Sequence, residues 1–267
     1  MNQLIKNKAQ KIIEEYLHED FEKETVFFDG SLDKEKAYVF HHRKRFFSLL
    51  NYLFPKIKKE FRILDVGASP FSFILKRIFP DVDLVTVDFT EDFKERCKKY
   101  RIKFVKHDLT KFPFPFPDNY FDLIIFGEVL EHLLTNHSVV MSELERILNK
   151  GGTLIIQTPN AYSLNRRIDF LLGKEIFPNN QKIFDYQYAG KLHIFEYKIS
   201  DLIKLIKDST RFKIIKISYA TYYDNLESAL VYKKFKLFYI LPALFYFSIT
   251  RIVPCFRRGI EVILIKQ

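Results

Sequence analysis

Phe61 to Phe79 reads FRILDVGASPFSFILKRIF: a short apolar strand, a tight turn and a helix. Ile63, Leu64 and Val66 form a buried strand that ends at Asp65-Val66-Gly67. Gly67 lets the backbone turn sharply where a side chain would interfere. Ser69 is a good N-cap and Pro70 suits the first helical position, so the spacing predicts a helix starting there. A strand delivered into a helix N-terminus is a site for a small ligand carrying a carboxylate or hydroxyls. A pyrophosphate site needs further glycines so that phosphates can approach the backbone. Here Ala68, Ser69, Pro70, Phe71 and Ser72 follow Gly67, which points to a cofactor that is not held by a phosphate cradle.

Outward from this turn, strands alternate with helices from Arg62 to Gln157, the pattern of a parallel sheet wrapped on both faces. Pro113, Pro115 and Pro117 in PFPFPDN exclude helix before the fourth strand. Gly151-Gly152 is read as ending the helix that carries Leu144, Ile147 and Leu148, with TLIIQ as the fifth strand. Ligands in such folds lie outside the carboxyl ends of the strands. Gly67, Asp88, Asp108, Glu128 and Thr158-Pro159-Asn160 all fall at or just beyond those ends. Two helices precede the first strand. One carries Leu4, Ile5, Ile12, Ile13, Tyr16 and Leu17, and the other Phe40, Phe47, Leu50 and Leu53. The second also holds His41, His42 and Arg43, either solvated or reaching a substrate. After Asn160, residues 161–197 read as a substrate-facing insertion. Ser200 then caps a helix through Leu202, Ile203 and Ile206, and RFKIIKISYA and IEVILIK are the last strands.

LDVGASPFS, with Asp65, Gly67, Ala68 and Ser69, resembles the first motif of the class I S-adenosylmethionine-dependent methyltransferases, of the type 11/23 kind. DLVTVDFTE ends a strand in Asp88 and Phe89, a spacing compatible with a carboxylate that accepts bonds from ribose hydroxyls. FVKHDL presents Asp108 and Leu109, which in that family lie beside the adenine. FPFPDNYFDLIIFGEVLEHL and LERILNKGGTLIIQTPN are similar to the family's fourth strand, helix and fifth strand, Glu128 included. Ser69 and Phe71 depart from the glycines common in the first motif. The resemblance implies a Rossmann-like α/β fold, mostly parallel with a C-terminal antiparallel strand, and S-adenosyl-L-methionine as cofactor. It divides the chain into an N-terminal helical cover (1–60), a methyltransferase core (61–221 and 260–267) and an insertion (222–259).

Methyl transfer is an in-line displacement, and a hydroxyl acceptor must lose a proton. Glu128, Glu131 and His132, spaced i, i+3 and i+4, are expected to share one helical face. With His193 they could hold a divalent ion, or His193 or His132 could act as a general base with no metal. The string is similar to the E-x-x-E-H element of ubiquinone-pathway O-methyltransferases and small-RNA 2'-O-methyltransferases. That likeness implies Mg2+.

The 267 residues are 48% hydrophobic, enough for a substantial core and against disorder. Cys97 and Cys255 form neither a disulfide framework nor a C-x-x-C metal site. MNQLIKNKAQ lacks an apolar signal core, so a cytoplasmic protein is expected. The net charge of +10 permits a nucleic-acid or anionic-membrane partner, or a solvated lysine-rich surface. Leu237 to Thr250, LFYILPALFYFSIT, is uncharged and interrupted by Pro242. It falls short of the roughly 20 apolar residues that span a bilayer. Lys233, Lys234 and Lys236 precede it and Arg251, Arg257 and Arg258 follow. This suits either an anionic membrane interface, at the inner face of the membrane, or a buried helical pair. TPNAYSLNRRIDFLLGKE and HIFEYKISDLIKLI are similar to methyltransferases acting on cell-surface glycans and lipid-linked sugars. A sugar hydroxyl on a small-molecule or lipid-linked glycan is therefore the first acceptor expected. A quinone-type phenol comes second and RNA third, since no RNA-binding module is attached. A methyltransferase-like binding protein without turnover is the reading from another class.

Overall fold

A computed structural model describes residues 3–18, 32–174, 192–220 and 236–267. Among the described residues seven strands form one sheet, β1 (Arg62–Val66), β2 (Asp83–Asp88), β3 (Lys103–Lys106), β4 (Phe121–Gly127), β5 (Leu148–Pro159), β6 (Lys213–Ala220) and β7 (Gly259–Ile265). Their hydrogen-bonded order is β3-β2-β1-β4-β5-β7-β6. The sheet is mostly parallel: β1 pairs with β2 and β2 with β3 in parallel, whereas β6 and β7 are antiparallel. This is the expected Rossmann-like α/β architecture. Ile63, Leu64 and Val66 are fully buried, as a run without alternation should be in a strand covered on both faces.

The chain divides into two compact units, residues 1–125, 146–154 and 266, and residues 126–145, 155–265 and 267. The first holds α1 (Gln3–His18), α2 (Leu32–Leu53), α3 (Pro70–Ile78) and α4 (Lys94–Lys99). Ser69 caps α3 with Pro70 in its first turn, as the sequence predicts. The α2 ring of Phe46 packs 5.1 Å from Phe71 of α3, and Arg96 of α4 donates to the Tyr16 hydroxyl of α1 at 3.1 Å. Ile13 and Tyr16 are buried as expected, while the side chains of Leu4, Ile5 and Leu17 lie outside the described residues. On α2 Leu50 and Leu53 are buried as expected, alongside Val39, Phe46 and Leu49, while Phe40 and Phe47 are only half-buried. His42 lies 4.3 Å from the Tyr38 ring and 6.4 Å from that of Phe46. Burial, with Arg45 and His41 nearby, pushes its pKa well down. It is therefore a neutral packing residue. The proline linker is tied down by Arg146, which donates to the Phe114 and Phe116 carbonyls and the Asp118 carboxylate.

Gly151-Gly152 does not end a helix. It lies inside β5, where Gly151 donates to the Lys266 carbonyl at 2.9 Å and Lys266 returns a bond to Gly152. Gly151 has φ +73°, and a Cβ on Gly152 would sit 2.8 Å from the Asn149 carbonyl oxygen. A glycine-bearing irregularity in a paired strand has thus replaced the C-cap reading.

The second unit contains most of α5 (His137–Ile147), together with α6 (Leu164–Leu171), α7 (Ile199–Ser209) and α8 (Lys236–Ile252). Glu261 of β7 accepts from Gln157 of β5 and Lys216 of β6, both at 2.9 Å, which satisfies its buried carboxylate. The N-cap of α7 is Lys198, and Ser200 lies within the helix, not before it. α8 runs through Pro242 as one helix. No described helix is long and apolar enough to cross a membrane. Residues 175–191 of the insertion, Lys233, Lys234 and the side chains of 237–243 lie outside the described residues.

Candidate functional site

The cofactor residues named from the sequence belong to the first unit, apart from Glu128. β1 hands over to the turn at Gly67, whose φ of +82° is the left-handed conformation that glycine tolerates. Gly67 donates to the Val87 carbonyl, and the next amide, Ala68, donates 2.9 Å to Oδ2 of Asp88. The other carboxylate oxygen of Asp88 accepts from the Thr90 amide at 3.0 Å. Asp88 thus fastens the ends of β1 and β2 to each other. Burial raises its pKa, opposed by bonds from the Thr90, Ala68 and Phe89 amides. The Thr90 hydroxyl stands 3.4 Å from Oδ1 of Asp88, a longer contact that a ligand hydroxyl would have to replace. Phe89, the next residue, is 41% exposed.

Below the turn, Ser69 accepts from the Phe71 amide and Ser72 Oγ from the Ser69 amide, a reciprocal cap. Ser72 Oγ also donates 2.7 Å to Asp65, which is buried. Burial pushes the Asp65 pKa up to about 7, against the Ser72 bond and the charge of Arg45. Asp108 is exposed and spends one oxygen on its own turn, accepting from the Thr110 amide and hydroxyl, while Leu109 is buried. A sharp glycine turn, an acidic residue ending β2 and an aromatic neighbour make a donor and acceptor set that fits S-adenosylmethionine.

The second unit holds the other cluster. The expected helical face of Glu128, Glu131 and His132 is not formed. Glu128 keeps a strand bond to the Gln157 carbonyl (2.8 Å) with φ +59°, and only a single 3-10 turn, Leu130–His132, follows. Strand pairing holds Glu128 in a left-handed conformation that a right-handed helix cannot use. Glu131 is buried, and its Oε2 accepts from Thr158 at 3.1 Å. Its backbone carbonyl accepts from the Ile194 and Phe195 amides at 2.7 and 3.1 Å, which pins the distant 192–196 segment against this turn. His132 Nδ1 then meets the Leu192 carbonyl at 2.7 Å, and the His132 and His193 rings stand edge to face at 4.9 Å.

A ligand atom from each of Glu131, His132 and His193 lies within 4.8 Å of the others, and Glu128 is outside that group. Burial pushes the His132 pKa down to about 4, against its bond to Leu192. The ring is neutral, and with Nδ1 donating to the carbonyl its lone pair sits on Nε2.

Two neighbours, Glu196 and His137, escaped sequence reading. Glu196 accepts from His193 Nδ1 at 3.1 Å and from Arg166 Nε at 2.9 Å, with a second Arg166 bond from Nη2. The H-x-x-E spacing of His193 and Glu196 was the available signal. His137 is buried between the Tyr197 hydroxyl (2.5 Å) and the Leu133 carbonyl (2.8 Å), both ring nitrogens engaged, so its role is structural. Asn160 donates to the Cys255 and Arg257 carbonyls and thereby fixes the turn that leads into β7.

The family model described as a methyltransferase domain matches residues 64–156. An uncharacterized protein of Methanocaldococcus jannaschii is 29% identical over 167 residues, covering 60% of this chain and 68% of that protein. The malonyl-[acyl-carrier protein] O-methyltransferase of Legionella pneumophila is 34% identical over 121 residues, 43% of this chain and 40% of that protein. The chain thus matches well under half the length of that enzyme. A SAM-dependent methyltransferase from Archaeoglobus fulgidus superposes with TM-score 0.56 at 19% identity, over 84% of this chain and 94% of that one. A chain from the complex of the Haloferax volcanii Trm112 methyltransferase activator with a methyltransferase gives 0.57 at 13% identity, over 89% and 94%. At these identities the structural likeness concerns the fold.

Proposed function

Because a family model described as a methyltransferase domain matches residues 64–156, we propose that the chain is a class I S-adenosylmethionine-dependent methyltransferase and that it methylates a sugar hydroxyl on a glycan or lipid-linked acceptor. The observation that carries this reading is the pair of juxtaposed imidazoles, His132 and His193, each with Nδ1 engaged by a neighbour. Such a pair suits an acceptor that must give up a proton.

Asp65, Gly67, Ala68, Ser69, Asp88, Phe89, Asp108, Leu109 and Glu128 are the residues assigned to the cofactor. Bound S-adenosylmethionine supplies a methyl group on a sulfonium. Asp88 would accept from the ribose hydroxyls and Phe89 would give the adenine an apolar face. His193 is the general base: its side chain is 39% exposed, whereas His132, held near a pKa of 4, is a weaker acceptor of protons. With the cofactor bound, the acceptor O–H proton would pass to His193 Nε2 as the oxygen takes the methyl group, the S–CH3 bond breaking to leave S-adenosylhomocysteine as a neutral thioether. Magnesium is a poor match for Glu131, His132 and His193, because two of the three donors are imidazole nitrogens and this ion takes oxygen ligands. No step is routed through it.

The lipid-linked acceptor draws support from the second unit's surface. Leu244, Phe245 and Ile252 of α8 are exposed, as are Phe170, Leu171 and Leu172 at the end of α6, with Arg251 beside them in sequence. Aromatic and aliphatic side chains with basic neighbours suit the interface of an anionic membrane. A peripheral position on the cytoplasmic leaflet follows from this reading.

The test is calorimetric titration with S-adenosylmethionine, with and without Mg2+, followed by methyl transfer to lipid-linked sugars in wild type and His193→Ala. Cofactor binding without a Mg2+ effect, with turnover lost in the variant, supports the reading. Full turnover in His193→Ala with binding intact would redirect the search to acceptors that are already ionised, such as carboxylates. No cofactor binding would overturn the enzymatic reading.

A further inference from the structure

We propose that Glu196 is a positioning residue that fixes the tautomer and ring orientation of His193, and that Arg166 in turn fixes Glu196. The proposal rests on the reading of His193 as the residue that receives the acceptor proton. It is carried by three side chains from two segments. Arg166 lies on α6, whereas His193 and Glu196 belong to the stretch that Glu131 clamps through its backbone carbonyl. The Glu196 side chain is only 6% exposed, yet it is a carboxylate, and such a group is retained in a protein only when its oxygens are bonded.

Here both oxygens are engaged. Oε2 accepts from Arg166 Nε, and Oε1 is shared between Arg166 Nη2 and His193 Nδ1. The guanidinium meets the carboxylate in its two-pronged arrangement, which fixes the carboxylate plane as well as its position. Burial raises the Glu196 pKa, but the His193 and Arg166 bonds outweigh it and hold the carboxylate below its ordinary range. An ionised carboxylate only accepts hydrogen bonds, so the neutral His193 ring must carry its proton on Nδ1. The lone pair is thereby assigned to Nε2.

The same device appears twice in different form. The Leu192 carbonyl sets His132 as an Nδ1–H tautomer, and Glu196 sets His193. The difference is physical. Both acceptors hold an Nδ1–H ring in place, whereas a carboxylate also stabilises the positive charge that the imidazole acquires when it gains a proton on Nε2. That separation of roles singles out His193 for proton acceptance.

The experiment is long-range 15N–1H correlation of histidine-labelled full-length protein at pH 8, with no cofactor or acceptor present. The His193 signals are identified by their loss in His193→Gln. Wild type is expected to show His193 protonated at Nδ1, and Glu196→Ala to show a mixture or the Nε2–H form. Arg166→Ala should show an intermediate shift, and Glu196→Asp should restore part of the wild-type pattern. Where methyl transfer is measurable, Glu196→Ala should lower kcat on the order of ten- to a hundredfold while leaving the KM for S-adenosylmethionine unchanged. An Nε2–H tautomer in wild type, or an unchanged Nδ1–H tautomer in a folded Glu196→Ala, would overturn the proposal. A shifted tautomer with unchanged turnover would leave the positioning intact and sink the catalytic reading of His193 instead.

Discussion

The structural bonds of Asp88 and the cofactor contact proposed for it can be separated by substitution. Its carboxylate accepts the Ala68 and Thr90 amides, and the proposed cofactor site adds the ribose hydroxyls. Hydrogen bonds to a charged group are worth about 1.5–3 kcal/mol, so Asp88→Ala should weaken S-adenosylmethionine binding roughly ten- to a hundredfold in calorimetry. Asp88→Asn keeps one amide acceptor and should fall in between. Equal affinity in all three proteins would remove Asp88 from the site. Asp65 makes a prediction of a different kind. Its pKa rises from 3.8 to about 7 in the fold, so between those values the native state holds a proton that the unfolded chain has lost. Its contribution to stability is therefore lost as pH rises through that window. Asp65→Asn has no such loss, and its Tm should gain on wild type from pH 4 to pH 8. Parallel Tm curves would show that Asp65 is ionised throughout.

The elements are governed by local chemistry wherever the sequence carries an unambiguous signal. Ser69 followed by Pro70 specifies the start of α3, and the reciprocal bonds of Ser69 and Ser72 complete it. Ser69→Ala should cost about 0.5–2 kcal/mol in urea unfolding, with little change in the slope of the transition. A loss near zero would mean that packing of Phe71 and Phe73 alone holds the helix. Where two elements compete, local reading fails. Glu128, Glu131 and His132 have helical spacing, but the strand bond from Glu128 to Gln157 outlasts the end of β4 and leaves room for only one 3-10 turn. Gly151-Gly152 carries the composition of a helix stop, yet both residues bond to Lys266 from the far end of the chain. In each case the deciding partner is distant in sequence.

At the scale of the whole molecule, α8 carries an exposed apolar surface that invites a test. It is one helix through Pro242, and its described apolar side chains include the exposed Phe245 and Ile252, 68% and 79% accessible. Burying such side chains is worth about 1.5–3 kcal/mol each. The double substitution Phe245→Ser with Ile252→Ser should therefore reduce co-sedimentation with phosphatidylserine vesicles by about tenfold or more. High salt should weaken the wild-type association further, because basic residues flank the segment. Wild-type protein that ignores such vesicles would make this face a surface for something other than lipid.

The sequence by itself determined the sheet, the glycine turn, the capped α3, the acidic end of β2 and the carboxylate just beyond β3. These depend on residues within a few positions of one another and on hydrophobic periodicity. It also marked Glu131, His132 and His193 as candidates, since their chemistry is visible in their identity. Only the tertiary structure decided that they meet. The Glu131 carbonyl must capture the Ile194 and Phe195 amides before His193 can stand against His132, and Arg166 must reach Glu196 from α6. Those bonds join residues separated by 30 positions or more, where no local pattern records the pairing.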